Sequence, residues 1–300
     1  MSEYFTGIQG TDAGHQLALM LALLSAVAHA AFGALQKGRH DPWLSRGAID
    51  FCYCALALPA ALFLVPRPDQ AVWALLAGAF FIHFAYKYLL AMAFTRAAYT
   101  VVYPVVRGTG PLATVVGAWI VFGELFAPAQ WAGVAILSGG IFGLAAYNLR
   151  KTPVGRDVLL SALGLAFLTG LLVALYTVYD AYGMRASPDP LTFLVWFFVV
   201  DGLAFPIIAW RRWHRMPDPP APGPLMLRGL IGALIAFVSF GSVMMATYLD
   251  KVGEAAVLRE TSTVWAALIG WAILREPVGP VRAGLMALIA LGAVVVEFGG

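Results

Sequence analysis

AFTRAAYTVVYPVVRGTGPLATVVGAWIVFGELFAPAQWAGVAILSGGIFG, residues 93–143, decides how the rest of the chain is read. It carries apolar side chains past an embedded Arg107, breaks at Gly123-Glu124, restarts at Pro128 and turns apolar again. Sliding the sequence by 152 positions brings up ATYLDKVGEAAVLRETSTVWAALIGWAILREPVGPVRAGLMALIALGAVV, residues 246–295. Arg107 falls on Arg259 and Glu124 on Glu276, and a run rich in small apolar residues follows each glutamate. One membrane unit therefore occurs twice in one chain.

The composition agrees. The chain is 61% apolar and 12% charged, with a mean hydropathy of +0.82. A soluble domain is about half apolar and about a quarter charged, so the expectation is a polytopic all-α membrane protein. The net charge is only +3, and Lys and Arg sit in short loops rather than along a stripe, so no nucleic-acid partner is expected. Cys52 and Cys54 stand two apart on different helical faces; they read as packing residues and offer no metal framework. MSEYFTGIQGTDAGHQ, residues 1–16, has no basic n-region, so a tail rather than a cleaved signal peptide is expected there.

A helix needs about 20 apolar residues to cross a bilayer core of about 30 Å. Ten runs qualify: 17–37, 47–65, 71–93, 99–122, 129–148, 158–181, 190–210, 226–249, 254–274 and 281–298. They are continuous rather than alternating, which excludes a transmembrane barrel. The first repeat then covers 17–148, a linker 149–157 and the second repeat 158–298. Five spans per copy is an odd number, so the second copy enters the membrane upside down, giving two inverted five-helix repeats. Orientation follows from the basic residues. Arg67, Arg185 and Lys251 lie on the N-terminal side. Opposite lie Lys37, Arg39, Arg46, Arg96, Arg150, Lys151, Arg156, Arg211, Arg212, Arg215, Arg228, Arg275 and Arg282. The positive-inside rule places both termini outside, in a membrane such as the bacterial inner membrane.

Ala91-Met92-Ala93-Phe94 at the end of the third span, Pro111 within the fourth, the closing Gly123-Glu124, and Gly133, Gly139, Gly140 and Gly143 in the fifth form a recognisable series. Glu276-Pro277, Gly284 and Gly292 continue it in the second copy. In these residues the chain resembles the EamA branch of the drug/metabolite transporters, with Arg275 where that pattern has Gly. The resemblance implies ten helices in two repeats, a small-molecule substrate and a secondary transport mechanism, and it includes exporters of amino acids. Read physically, Glu124 and Glu276 each precede a helix N-terminus, where free N–H groups favour a carboxylate, so both are expected to be caps. The glycines suit close helix packing, within the monomer or at a homodimer seam.

Charges deep in a bilayer are costly and generally face a partner or a cavity. His83 and Lys87 stand four apart on the third span, with Tyr86 beside them. Tyr99, Tyr103 and Arg107 form a stripe on the fourth; Tyr176, Tyr179 and Asp180 lie on the sixth, Asp201 on the seventh, Arg259 and Glu260 on the ninth, and His29 on the first. Arg259 and Glu260 are adjacent and point about 100° apart, so they are not expected to neutralise each other. Weighing Lys87, Arg107 and Arg259 against Asp201 and Glu260 leaves a slight positive excess. Hence His83, Tyr86, Lys87, Tyr103, Arg107, Tyr176 and Arg259 are expected to bind substrate, and His29, His83, Asp201 and Glu260 to be candidates for proton coupling.

Cationic side chains suit a carboxylate through charge-assisted hydrogen bonds. The expected function is secondary transport, as an exporter or exchanger, of a small anionic or zwitterionic metabolite such as an amino acid or organic acid, by alternating access around a central cavity. A multidrug exporter and an exchanger of phosphorylated metabolites are the alternatives. No HExxH, GxSxG or nucleotide-binding loop occurs, so neither an enzyme nor a cofactor is expected.

Overall fold

A computed structural model describes residues 2–36, 41–96, 99–151, 156–272 and 279–300; at 36, 99–101, 103, 104, 151, 156–159, 270 and 271 it describes the backbone alone. The described secondary structure is helical throughout: α1 (Ser2–Ile8), α2 (Asp12–Gln36), α3 (Pro42–Phe63), α4 (Gln70–Arg96), α5 (Tyr99–Phe122), α6 (Pro128–Lys151), α7 (Arg156–Ala186), α8 (Pro190–Asp201), α9 (Ala204–Trp213), α10 (Pro222–Leu249), α11 (Val252–Arg259), α12 (Ser262–Ala272) and α13 (Pro280–Phe298). Among the described residues, 9 segments are long and apolar enough to cross a membrane, Pro190–Trp213 counting as one across α8 and α9. The protein is an integral membrane protein. Large apolar side chains such as Phe63, Phe81 and Ile120 face outward, as lipid contact requires.

Local chemistry sets the helix ends. Asp41 caps α3, accepting from the N–H groups of Trp43 at 2.9 Å and Leu44 at 3.1 Å, with Pro42 in the first turn. Asp189 and Pro190 do the same for α8. Gly123 stops α5 with φ of 67°, a left-handed turn that suits glycine. Thr11 caps α2 by accepting from Gly14 N–H at 3.2 Å, which is why the helix starts at Asp12 rather than at 17. The segment expected to be a plain tail contains α1. That helix lies on the end of the bundle: Thr6 and Gln9 reach Tyr248, and Gly10 N–H donates to Leu249 O at 2.9 Å.

Two membrane segments are broken, and sequence periodicity alone had drawn both as continuous. The 190–210 span splits into α8 and α9 at Asp201–Leu203 because Pro206 lacks an N–H and crowds the carbonyl of Gly202. The 254–274 span splits into α11 and α12 at Glu260-Thr261. Here Glu260 and Thr261 turn back onto Val257 O and Leu258 O, and the Thr261 hydroxyl also donates to Leu258 O at 2.7 Å. The last residues of that span, with Arg275 and Glu276, lie outside the described residues.

Small residues set the packing. α6 and α13 approach so closely that a Cβ on Gly292 would stand 2.6 Å from Gly133 O. Gly133, Gly140 and Gly143 of α6 all face α13, so these glycines serve packing within one chain. α2 packs on α10, and α4 on α7; α5 packs on α7, and α12 on α2; α3 packs on both α8 and α9.

Candidate functional site

Both helix breaks fall in the middle of the bundle, and each frees a backbone carbonyl that a cation takes. Inside an unbroken helix the Asp201 carbonyl would accept from the N–H four residues on. Here Lys87 Nζ donates to it at 2.9 Å. The Arg259 carbonyl, at the second break, accepts from Arg107 Nη2 at 3.4 Å. The two arginines that the 152-residue offset pairs in the sequence are therefore neighbours in space.

Around the first break lies a network of charges. Lys87 Nζ is 2.7 Å from Asp50 Oδ2, 2.7 Å from Asp201 Oδ1 and 2.8 Å from Tyr53 Oη. Tyr53 donates in turn to Asp201 Oδ2. Arg46 Nε reaches Asp50 Oδ1 at 2.6 Å, one helical turn away. His83 Nε2 meets Asp180 Oδ2 at 2.8 Å, while its Nδ1 stands 4.0 Å from Asp201. Rings close over the histidine: Tyr176 at 4.4 Å and Phe197 at 4.8 Å, with Tyr86 against Tyr176 at 5.0 Å.

The second break gathers Arg107, Arg259, Glu260, Ser262, His29 and Ser239. Arg107 Nε pairs with Glu260 Oε2 at 2.8 Å, and its Nη2 donates to Ser262 Oγ at 2.8 Å. Glu260 thus neutralises Arg107 and not its neighbour Arg259, as the angular separation of the two requires. Arg259 stands over the Phe240 ring at 5.0 Å and touches His29 Nδ1 at 3.3 Å. Its buried Nε has no hydrogen-bond partner among the described residues.

A cavity of about 60 Å³ lies between the two networks. Arg46, Lys87 and Tyr86 line it from one side, His29 and Phe240 from the other, with Phe32 and Phe94 among its apolar walls. It has room for a few waters and not for an amino acid.

Each expected site residue can now be placed. His83, Tyr86, Lys87, Tyr176 and Asp201 gather at the first break, and Arg107, Arg259, Glu260 and His29 at the second. The side chain of Tyr103 lies outside the described residues, as does Glu276. Glu124 does cap a helix, but not α6, which follows it: its carboxylate accepts from Val252 N–H at 2.8 Å and Gly253 N–H at 3.0 Å, at the start of α11. Sequence reasoning passed over Asp50 altogether and left Asp180 out of its charge balance. It also counted Arg46 as a loop charge, whereas the side chain points inward. With these included, Arg46, Lys87, Arg107 and Arg259 face Asp50, Asp180, Asp201 and Glu260 among the described residues. The slight positive excess disappears. The lone acid in an apolar run, four residues after Arg46, was the available signal.

Comparison with known proteins fits this architecture. The chain is similar over 94% of its length to a solved crystal structure, covering 96% of that chain with a TM-score of 0.75 at 18% identity; the likeness shows a shared fold. No curated protein matches the chain in sequence. Residues 160–298 match the EamA-like transporter family. The second half of the chain therefore carries an EamA-like transporter family domain.

Proposed function

We propose that this transporter moves a small zwitterionic metabolite, an amino acid or a close relative, by alternating access around the cavity between the two helix breaks. The observation that carries the reading is the charge balance at that cavity. Its two lining cations, Arg46 and Lys87, are already held by Asp50 and Asp201. A bare cation or anion entering such a place would leave an unpaired buried charge, which is expensive. A zwitterion adds none: its carboxylate can engage Lys87, with Arg259 adding positive field from behind His29, while its ammonium takes up the Asp50 or Asp201 carboxylate so released. Phe32, Tyr86, Phe94 and Phe240 supply apolar surface for the body of the solute.

Two five-helix units related by inversion suit this mechanism, with α11 and α12 together forming the ninth span and α13 the tenth. The packing supports that reading. Exchanging the halves turns the α2–α10 contact into α7–α4 and the α5–α7 contact into α12–α2. Broken helices near the midplane are where such transporters place their substrate sites. The positive-inside reading places both termini outside. His83 and Asp180, isolated from solvent and joined by one hydrogen bond, are the proposed proton-coupling pair, replacing Glu260, which the Arg107 pair already occupies.

A thermal-shift screen of purified protein tests the reading, because a ligand that binds the folded state alone raises the melting temperature by mass action. The expected result is stabilisation by zwitterionic amino acids, reduced in Arg259→Gln. Stabilisation confined to lipophilic cations would replace it with multidrug export, and stabilisation confined to phosphorylated anions with phosphate-metabolite exchange.

A further inference from the structure

At the end of the bundle where α1 packs, three elements converge on a second group of polar side chains. His15, in the first turn of α2, points Nδ1 at Asp250 Oδ2 and holds Nε2 3.4 Å from Glu297 Oε1 on α13. Glu254, on α11, stands alongside, and the ligand atoms of His15, Asp250 and Glu254 all lie within 4.8 Å of one another. These residues enclose a cavity of about 10 Å³, lined by all four side chains, which is about the space of one water or one small ion. Neighbours fix the orientation of Glu254: Gln130 Nε2 donates to its Oε1 at 2.7 Å and Lys251 Nζ at 2.8 Å. The Glu297 side chain is 8% exposed and its Oε2 has no hydrogen-bond partner among the described residues. A buried carboxylate oxygen without a donor is costly, and this one borders the cavity.

We infer that His15, Asp250 and Glu254 form a binding site for a divalent transition metal of the Zn²⁺ class, with Glu297 holding the other ring nitrogen of His15. An imidazole with carboxylates is a donor set suited to such an ion, whereas Ca²⁺ and Mg²⁺ prefer oxygen alone. Zn²⁺ bonds these atoms at about 2.0–2.2 Å, so separations under 4.8 Å need only small side-chain adjustments. Bound metal replaces the proton between His15 Nδ1 and Asp250, while Glu297 takes the Nε2–H on the other side of the ring and orients the imidazole. The gripping of Glu254 by Gln130 is the kind of outer hydrogen bond that orients a ligating carboxylate. Because the ligands come from α2, the α10–α11 junction and α11, with Glu297 of α13 behind His15, occupancy ties these helix ends together and holds this end of the bundle closed. The four residues lie too far apart in the sequence for spacing to suggest a site, and no metal was expected from it.

The test is a calorimetric titration of tag-free, chelator-treated full-length protein in detergent with Zn²⁺. His15 is half exposed, so His15→Ala is expected to fold, and a thermal melt without metal checks that it does. The expected result is saturable binding of one Zn²⁺ per chain, weakened roughly tenfold or more in His15→Ala and in Glu297→Gln. It should be unchanged in His214→Ala, at the opposite end of α10. Absence of saturable Zn²⁺ binding, equal affinity in His15→Ala, or Ca²⁺ binding as tight as Zn²⁺ would overturn the assignment.

Discussion

Replacing Lys87 by Met keeps much of the side-chain volume and removes the ammonium that Asp50 and Asp201 share at 2.7 Å each. Arg46 remains, at 2.6 Å from Asp50 and 4.0 Å from Asp201, so one buried carboxylate loses its counter-charge. At an effective dielectric near 20, unit charges about 4 Å apart attract by about 4 kcal/mol. Desolvation offsets much of that gain, and breaking one partner out of a buried pair typically costs about 3–5 kcal/mol. The apparent melting temperature in detergent, read at a fixed scan rate, should fall by on the order of 10 °C. Lys87→Met combined with Asp50→Asn leaves Arg46 facing Asp201 alone and restores the balance. The double variant should therefore melt above Lys87→Met, a non-additivity that a double-mutant cycle isolates. Melting of Lys87→Met within about 2 °C of the parent, or strictly additive losses in the double variant, would refute the reasoning that these charges are mutually dependent.

Other consequences follow from single contacts. Glu124→Ala strips the cap from α11, which begins with the N–H groups of Val252 and Gly253. It should cost about 1–2 kcal/mol, visible as a lowered melting temperature that Glu124→Gln partly recovers. Gly292→Val forces a Cβ against Gly133 O and should destabilise by about 1–3 kcal/mol in the same melt. Gly284→Val, where nothing lies within 4 Å, should stay within about 0.5 kcal/mol of the parent. Ser262→Ala removes an acceptor from Arg107 Nη2, a charge-assisted bond worth about 1.5–3 kcal/mol; initial transport rates in proteoliposomes should fall while the protein still folds.

What the sequence showed and what it hid have physical reasons. Length and apolarity of a run are local properties, so the membrane segments and their short connections were legible, and the offset that pairs Arg107 with Arg259 named two residues that the fold brings into contact. The breaks were not: apolar residues run straight through Asp201 and Glu260, and only Pro206 and the Thr261–Thr263 cluster hinted that the backbone stops being helical there. Candidate cations such as Lys87 stood out because a charge in an apolar run is conspicuous. Their partners did not, because pairing is decided by which helices touch: Asp50 and Lys87 are 37 residues apart, and His83 and Asp180 are 97. A charge count taken without contacts therefore found a basic pocket where the fold builds balanced pairs. Glu124 repeats the lesson, since it caps a helix 128 residues on rather than the next one.

Counterflow in proteoliposomes tests the central claim most directly. Vesicles loaded with one unlabelled solute at high concentration are challenged with a radiolabelled zwitterionic amino acid outside, over a panel of zwitterionic, anionic and cationic interior solutes. A charge-balanced site predicts that zwitterionic amino acids drive accumulation of label, that Arg259→Gln slows it, and that cations and phosphorylated anions do not substitute. Accumulation driven by lipophilic cations or by phosphorylated anions, with zwitterions inert, would contradict it.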